Sequence, residues 1–173
     1  SNLRAKLGES LASIQKLNYE FKQATTGSLE AFKAYSLGEA QKSQGLWLTA
    51  IPFYERATKL DSNFAMAYAR MAVVYGNAGE RTKARDFAKK AYSLVDRVSE
   101  RERLYITARY YDSVVRDRDK SIETYQLYSQ TYPRDFTPLV NMGSAYSDGG
   151  ELEKAVQAYQ DAIRLEPRSA VSY

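Results

Sequence analysis

Along most of this chain apolar residues return at i, i+3, i+4 and i+7, the period of a helix with one buried face. From residue 31 onward the stripes come in pairs around a short turn, so the pattern predicts successive hairpins of two amphipathic helices. Small residues punctuate the second helix of each pair: Ala50, Ala84, Ser121 and Ala155 are separated by 34, 37 and 34 positions. Seven residues behind them run Ala57, Ala91 and Ala162, with Tyr128 in the third place. Small side chains at a crossing let two helix backbones approach closely, and aromatics fill the space beside them. One such hairpin cannot bury its apolar faces alone, so neighbours stack and the core becomes continuous.

The clearest copy reads Leu139, Met142-Gly143, Tyr146, Gly150, Ala155, Tyr159, Ala162 and Pro167. The second gives Tyr68, Met71-Ala72, Tyr75, Gly79, Ala84 and Ala91; the first gives Ala34, Leu37-Gly38, Gln41, Gly45, Ala50, Tyr54 and Ala57. This spacing resembles the tetratricopeptide repeat (TPR). The resemblance implies an all-α, right-handed solenoid of helical hairpins, with repeats expected at 31–64, 65–98, 99–135 and 136–169. Eight of the fifteen tyrosines (54, 68, 75, 111, 125, 146, 159 and 173) fall at its large-aromatic places, where core packing is expected of them.

The third copy departs from its neighbours. It aligns Leu104, Thr107-Ala108 and Tyr111, but one residue is inserted in the turn Asp112–Asp119 and Ser99-Glu100 are extra. Arg116 stands where a turn Gly is expected, and Tyr128 in place of Ala is expected to alter the superhelical pitch locally. Pro52 either lies in the first turn of its helix, where its missing N–H is harmless, or bends that helix; Pro138 fits a first-turn position. Outside the repeats, Leu3, Leu7, Leu11, Ile14 and Leu17 predict a separate amphipathic helix over 3–17, followed by a connector over 18–30, with Ser28 and Glu30 as a helix start. Ser1-Asn2 reads as a remnant of tag removal, and 170–173 as the opening of a fifth repeat with Tyr173 at its first aromatic place. The chain is accordingly expected to be an excised piece of a longer protein.

Composition removes most chemistry. With no Cys and no His, there are no thiolate zinc sites, disulfides or cysteine nucleophiles, and neither the usual neutral-pH general base nor the commonest transition-metal ligand. No phosphate-binding loop is present, and Asp117-Arg118-Asp119 lacks the spacing of a calcium loop. Carboxylate pairs such as Glu100/Glu102 and Glu151/Glu153 lie two apart and do not share a helix face. No catalytic residue, cofactor or metal is expected. The net charge of +4 resides in residues 81–120, where acidic residues are interleaved. A nucleic-acid footprint would be a one-signed stripe, so nucleic acid is not expected as a partner. No apolar run approaches the ~18 residues of a membrane span, and no membrane contact is expected of 1–173. The sequence does not give a compartment.

In TPR arrays the first helix of each pair lines the concave face. The resemblance therefore implies a groove formed by Tyr35, Ser36 and Glu39; Ala69, Arg70 and Val73; Tyr105, Ile106 and Arg109; and Val140, Asn141 and Ser144. The partner-binding candidates are Tyr35, Glu39, Arg70, Tyr105, Arg109, Asn141 and Ser144, since aromatics and arginines make anchoring contacts through desolvated area and forked hydrogen bonds. Exchanging Arg70 and Arg109 for Glu is expected to abolish partner capture without unfolding the helices. Chaperone-binding TPR domains hold a peptide carboxylate with Lys, Asn and Arg; the corresponding residues here are Tyr35, Glu39, Arg70, Glu102 and Ile106, and only Arg70 can donate, so that ligand is not expected. The runs 3–16, 24–38 and 96–106 look like the TPR tails of bacterial serine/threonine protein kinases and related regulators, implying a signalling context. The expected function is a non-catalytic module binding a protein or peptide segment in the groove. The alternatives are homodimerisation through helix 3–17 and, behind it, an RNA-binding helical repeat.

Overall fold

The computed structural model describes residues 26–166, which form an array of helical hairpins. The eight α-helices among the described residues are α1 (Leu29–Ser43), α2 (Trp47–Leu60), α3 (Ala65–Asn77), α4 (Arg81–Tyr92), α5 (Glu100–Tyr110), α6 (Arg118–Thr131), α7 (Thr137–Asp148) and α8 (Leu152–Leu165). They pair as α1/α2, α3/α4, α5/α6 and α7/α8, and each hairpin packs on the next. The proposed tag remnant, the helix over 3–17, most of the connector, Pro167 and the opening of a fifth repeat lie outside the described residues.

Local chemistry accounts for the helix ends. Ser28 accepts a hydrogen bond from the Ala31 amide and starts α1, with Glu30 in the first turn. Ser99 and Glu102 form a reciprocal capping box on α5. Three hairpins close in one way: Gly45, Gly79 and Gly150 adopt φ of 75°, 79° and 76°. In each, the amide one residue further on reaches back across the turn, as from Leu46 to the Gln41 carbonyl. The third hairpin closes differently. Tyr111–Val115 form a widened π turn, and Arg116 takes the left-handed conformation (φ 60°) that its neighbours give to glycine. The Asp117 amide then bonds the Tyr111 carbonyl at 2.9 Å, so the longer connection is taken up in one turn. Pro52 is the sixth residue of α2, inside the helix rather than in its first turn, while Pro138 does sit in the first turn of α7.

The core follows the small-residue series. Ala50, Ala84, Ser121 and Ala155 are all buried, as are Ala57, Ala91, Tyr128 and Ala162. Within a hairpin, size is traded across the helix crossing. A Cβ added at Gly38 would lie 2.5 Å from the Tyr54 ring, and one at Gly143 would lie 2.6 Å from the Tyr159 ring. The second hairpin has Ala72 and Ala88 at those two places, both buried. Between hairpins, Tyr92 of α4 stacks on Tyr110 of α5 with ring centroids 3.9 Å apart.

Candidate functional site

The inner faces of α1, α3 and α5, one helix from each of three consecutive hairpins, enclose a groove of about 550 Å³. Its wall carries Tyr35, Ser36 and Glu39 from α1, Arg70 from α3, and Arg101, Glu102 and Tyr105 from α5. Tyr128 of α6 and Tyr132, the residue that follows that helix, close one end.

A polar network built around Arg70 runs across the floor. Its Nη1 donates to the Tyr105 hydroxyl at 2.9 Å, and its Nε donates to the Tyr35 hydroxyl at 3.3 Å. The same Nε lies 3.1 Å from Glu39 Oε1. The guanidinium carbon also sits 5.0 Å from the centroid of the Tyr105 ring, a cation–π contact. Tyr35 and Tyr105 each stand 35 residues from Arg70, which is why a single cation reaches both neighbouring hairpins. Glu39 is held further by the Tyr54 hydroxyl (2.6 Å to Oε1) and by Lys42 Nζ (3.1 Å to Oε2).

These contacts set the protonation states. Burial works against the charged form of Glu39, but Arg70 and Lys42 overcome it and hold the carboxyl below its ordinary value. Burial likewise opposes the Arg70 cation, and Glu39 and the two tyrosines outweigh it, so Arg70 stays charged. Desolvation raises the Tyr35 and Tyr54 phenols. For Tyr105 burial acts upward, and Arg70, Arg109 and Lys42 more than offset it, leaving the phenol below its usual value. The floor of the groove is therefore a neutralised ion pair roofed by aromatic rings.

A second cluster closes the far end. Arg101 Nε donates to Asp135 Oδ2 at 2.7 Å and to the Tyr128 hydroxyl at 3.2 Å, and Tyr128 donates to the same Asp135 oxygen at 2.6 Å. Asp135 Oδ1 accepts from the Thr137 amide at 2.9 Å. Burial pushes the Asp135 carboxyl up, but these hydrogen bonds and Arg101 hold it below its ordinary range.

Of the seven candidates, Tyr35, Glu39, Arg70 and Tyr105 come together on the groove wall. Arg109 does not join them. It turns toward α6, beside the Tyr125 phenol and 3.4 Å from Asp112 Oδ2. Asn141 uses its amide on the Thr137 carbonyl of its own helix at 2.8 Å, and Ser144 is exposed on α7 outside the groove lining. Arg70 also differs from expectation: it is already committed to three partners of this chain. Arg70→Glu would set a second carboxylate beside Glu39, and breaking a pair this enclosed costs on the order of 3–5 kcal/mol. That exchange would therefore disturb folding as well as capture. Phe32, Met66 and Arg101 were not among the candidates, yet they line the groove. They stand one helical turn before Tyr35, Arg70 and Tyr105, so the groove extends the same helix faces toward their N-termini.

The tetratricopeptide repeat family model matches residues 137–169, the stretch that contains α7 and α8. That stretch matches one tetratricopeptide repeat. Among solved structures, two crystal structures of MamA are similar to it. One is 23% identical over 97% of this chain and 95% of that chain with a TM-score of 0.45, and the other 25% identical over 82% and 75% with a TM-score of 0.44. MamA 41-end from Desulfovibrio magneticus RS-1 is 17% identical over 82% of this chain and 78% of that chain, with a TM-score of 0.47. No curated protein matches the chain. The TPR fold is a protein–protein interaction scaffold, typically a non-enzymatic one. Among the described residues no group of three or more acidic side chains is placed to hold a metal ion, and no helix is long and apolar enough to cross a membrane.

Proposed function

We propose that this TPR array binds a segment of a protein partner in the groove between α1, α3 and α5, as a non-catalytic module of a bacterial signalling or regulatory protein. The observation that carries the reading is the groove itself: about 550 Å³, walled by aromatic rings, with its central cation neutralised by Glu39 and braced by Tyr35 and Tyr105. Rigid aromatic side chains offer large contact area at small entropic cost, and a prearranged polar floor need not reorganise when a ligand arrives. The internal pairing also shapes specificity. Because Arg70 is satisfied, a bound segment gains little by presenting a carboxylate there, and apolar or aromatic residues are favoured at the centre. The signalling context rests on the likeness of runs 3–16, 24–38 and 96–106 to the TPR tails of bacterial kinases.

Peptides selected from a displayed random library against the full chain test this. The expected result is that they compete for one site and lose at least about tenfold in affinity, roughly 1.4 kcal/mol, to Ser36→Arg, which fills the groove from its wall. Gln157→Arg on the exposed surface of α8 should bind as the parent does. Selected peptides indifferent to Ser36→Arg would show that the groove is not the binding surface.

A further inference from the structure

We infer that α8 is a dimerisation helix, and that its exposed apolar row packs antiparallel, about a two-fold axis, on α8 of a second copy of this chain. The surface lies outside the groove between α1, α3 and α5, so this inference is independent of the groove reading.

The faces of α8 differ sharply. Ala155, Ala158 and Ala162 are buried where the helix packs on α7. Leu152, Val156, Tyr159 and Ile163 stand about a quarter turn away, within about 60° of one another at ~100° per residue, and all four are exposed. Apolar residues exposed singly are ordinary, whereas a contiguous row marks a contact surface. At earlier joints the same register is covered. Ile122, which stands in α6 where α8 has Val156, is 8% exposed against 55% for Val156. Trp47 and Ile51, at the places of Leu152 and Val156 in α2, pack against a buried cluster that includes Met71 and Val74 of the second hairpin. α8 therefore presents a surface that the array buries wherever a neighbour stacks on it.

The row is complementary to itself. In an antiparallel pair centred between Val156 and Tyr159, Leu152 meets Ile163 of the second copy and Val156 meets its Tyr159, each contact occurring twice. The flank of the row that points away from α7 carries Glu153, Gln157, Gln160 and Arg164. A two-fold axis through the same centre sets Glu153 opposite Arg164 of the second copy and Gln157 opposite its Gln160. Both ends of the flank thus pair opposite charges, and the middle pairs amides. The charges are open to such use. Among the described residues Glu153 enters no ion pair, while Arg164 bonds Asp161 at 2.8 Å with its side chain 70% exposed. The apolar row supplies the adhesion, and the charges set its direction and register.

Sedimentation velocity on the full chain tests this. The expected result is a species of dimer mass whose dissociation constant rises at least about tenfold on Val156→Glu, with circular dichroism checking that the helices persist. Glu153→Arg, which faces Arg164 of the second copy, should weaken the dimer about threefold or more; adding Arg164→Glu should restore it to within about twofold of the parent. The chain contains no cysteine, so Gln160→Cys near the two-fold axis reports without background. Treated with a short bis-maleimide, it should give a product of dimer mass at least about fivefold faster than Lys59→Cys on α2, and Val156→Glu should abolish that advantage. A monomer throughout the micromolar range would overturn the inference, as would a dimer indifferent to Val156→Glu. A series of species growing beyond the dimer would mean head-to-tail stacking and overturn it as well. A dimer that Val156→Glu dissolves, but that neither cross-links through Gln160→Cys nor recovers in the charge-exchanged double variant, would overturn the antiparallel pairing.

Discussion

The three helical glycines form a graded test of the hairpin crossing. At Gly38 an added Cβ would lie 2.5, 2.8 and 2.9 Å from three carbons of the Tyr54 ring, against the ~3.5–4.0 Å of an ordinary carbon contact. The ring must retreat by about 1 Å, and it has nowhere to go. Tyr54 is fully buried, and its hydroxyl is fixed 2.6 Å from Glu39. Overpacking of this kind costs about 1–3 kcal/mol, and weakening a hydrogen bond to a charged acceptor adds to it. Replacing a mid-helix glycine returns about 1 kcal/mol of helix propensity, so Gly38→Ala should destabilise by about 2 kcal/mol. Gly143→Ala meets the Tyr159 ring at 2.6 Å, but that ring is 38% exposed and can swing outward, so clash and propensity should nearly cancel. At Gly76 the nearest atom is the Ala84 Cβ at 3.8 Å, an ordinary contact. Gly76→Ala should therefore stabilise by about 0.5 kcal/mol. Thermal melts followed by circular dichroism resolve the series, since about 1 kcal/mol moves Tm by roughly 2–4 °C in a chain of this size. The expected order is Gly76→Ala, then Gly143→Ala, then Gly38→Ala about 4–8 °C below the parent. A Gly38→Ala protein melting at or above the parent would refute the size-exchange account of the crossing.

Other perturbations follow from the same structure. Arg116→Gly should stabilise by about 1 kcal/mol, because it relieves a side chain held in left-handed backbone; a lower denaturation midpoint would mean that the arginine makes a contact worth more than the strain. Ala84→Leu enlarges a buried crossing residue and should cost about 1–3 kcal/mol, read from urea unfolding. Glu39 has its folded carboxyl below the ordinary value of 4.5, so its contribution is complete above that pH and is lost as pH falls through the folded value. Stability should therefore decline on acidification below about 4.5, and Glu39→Gln should be less stable at neutral pH with a shallower acid limb; an unchanged limb would remove Glu39 from the network.

Much of the architecture could be read because its signals are local and repeated. The residues at 50, 84, 121 and 155 are small for the same steric reason, and the turn positions 45, 79, 116 and 150 share one backbone conformation even where the residue is arginine. On the groove, Tyr35, Glu39, Arg70 and Tyr105 were legible from their register on first helices. What those side chains do to one another was not. Arg70 reads as a free donor until Glu39 and both tyrosines are placed around it. Arg109 occupies the register of Glu39 and Val73 on its own first helix, yet it turns to Tyr125, which stands where the second hairpin has Ala88. The Arg101–Tyr128–Asp135 cluster left a faint signal, since Arg101 and Asp135 are 34 positions apart, one repeat length. The insertion in the turn Asp112–Asp119 could be read, while its form, a π turn over Tyr111–Val115, is decided by the backbone hydrogen bonds.

Arg70 gives this coil an unusual elasticity. In a chain of hairpins that touch only their immediate neighbours, each joint bends on its own, and curvature can spread or tighten one step at a time. Here a single guanidinium grips α1 on one side and α5 on the other, so the first and third hairpins share a clasp on the inside of the bend. Flattening the coil must open that clasp before either joint relaxes. The inner curve of the first three hairpins is therefore fastened across two joints by one cation.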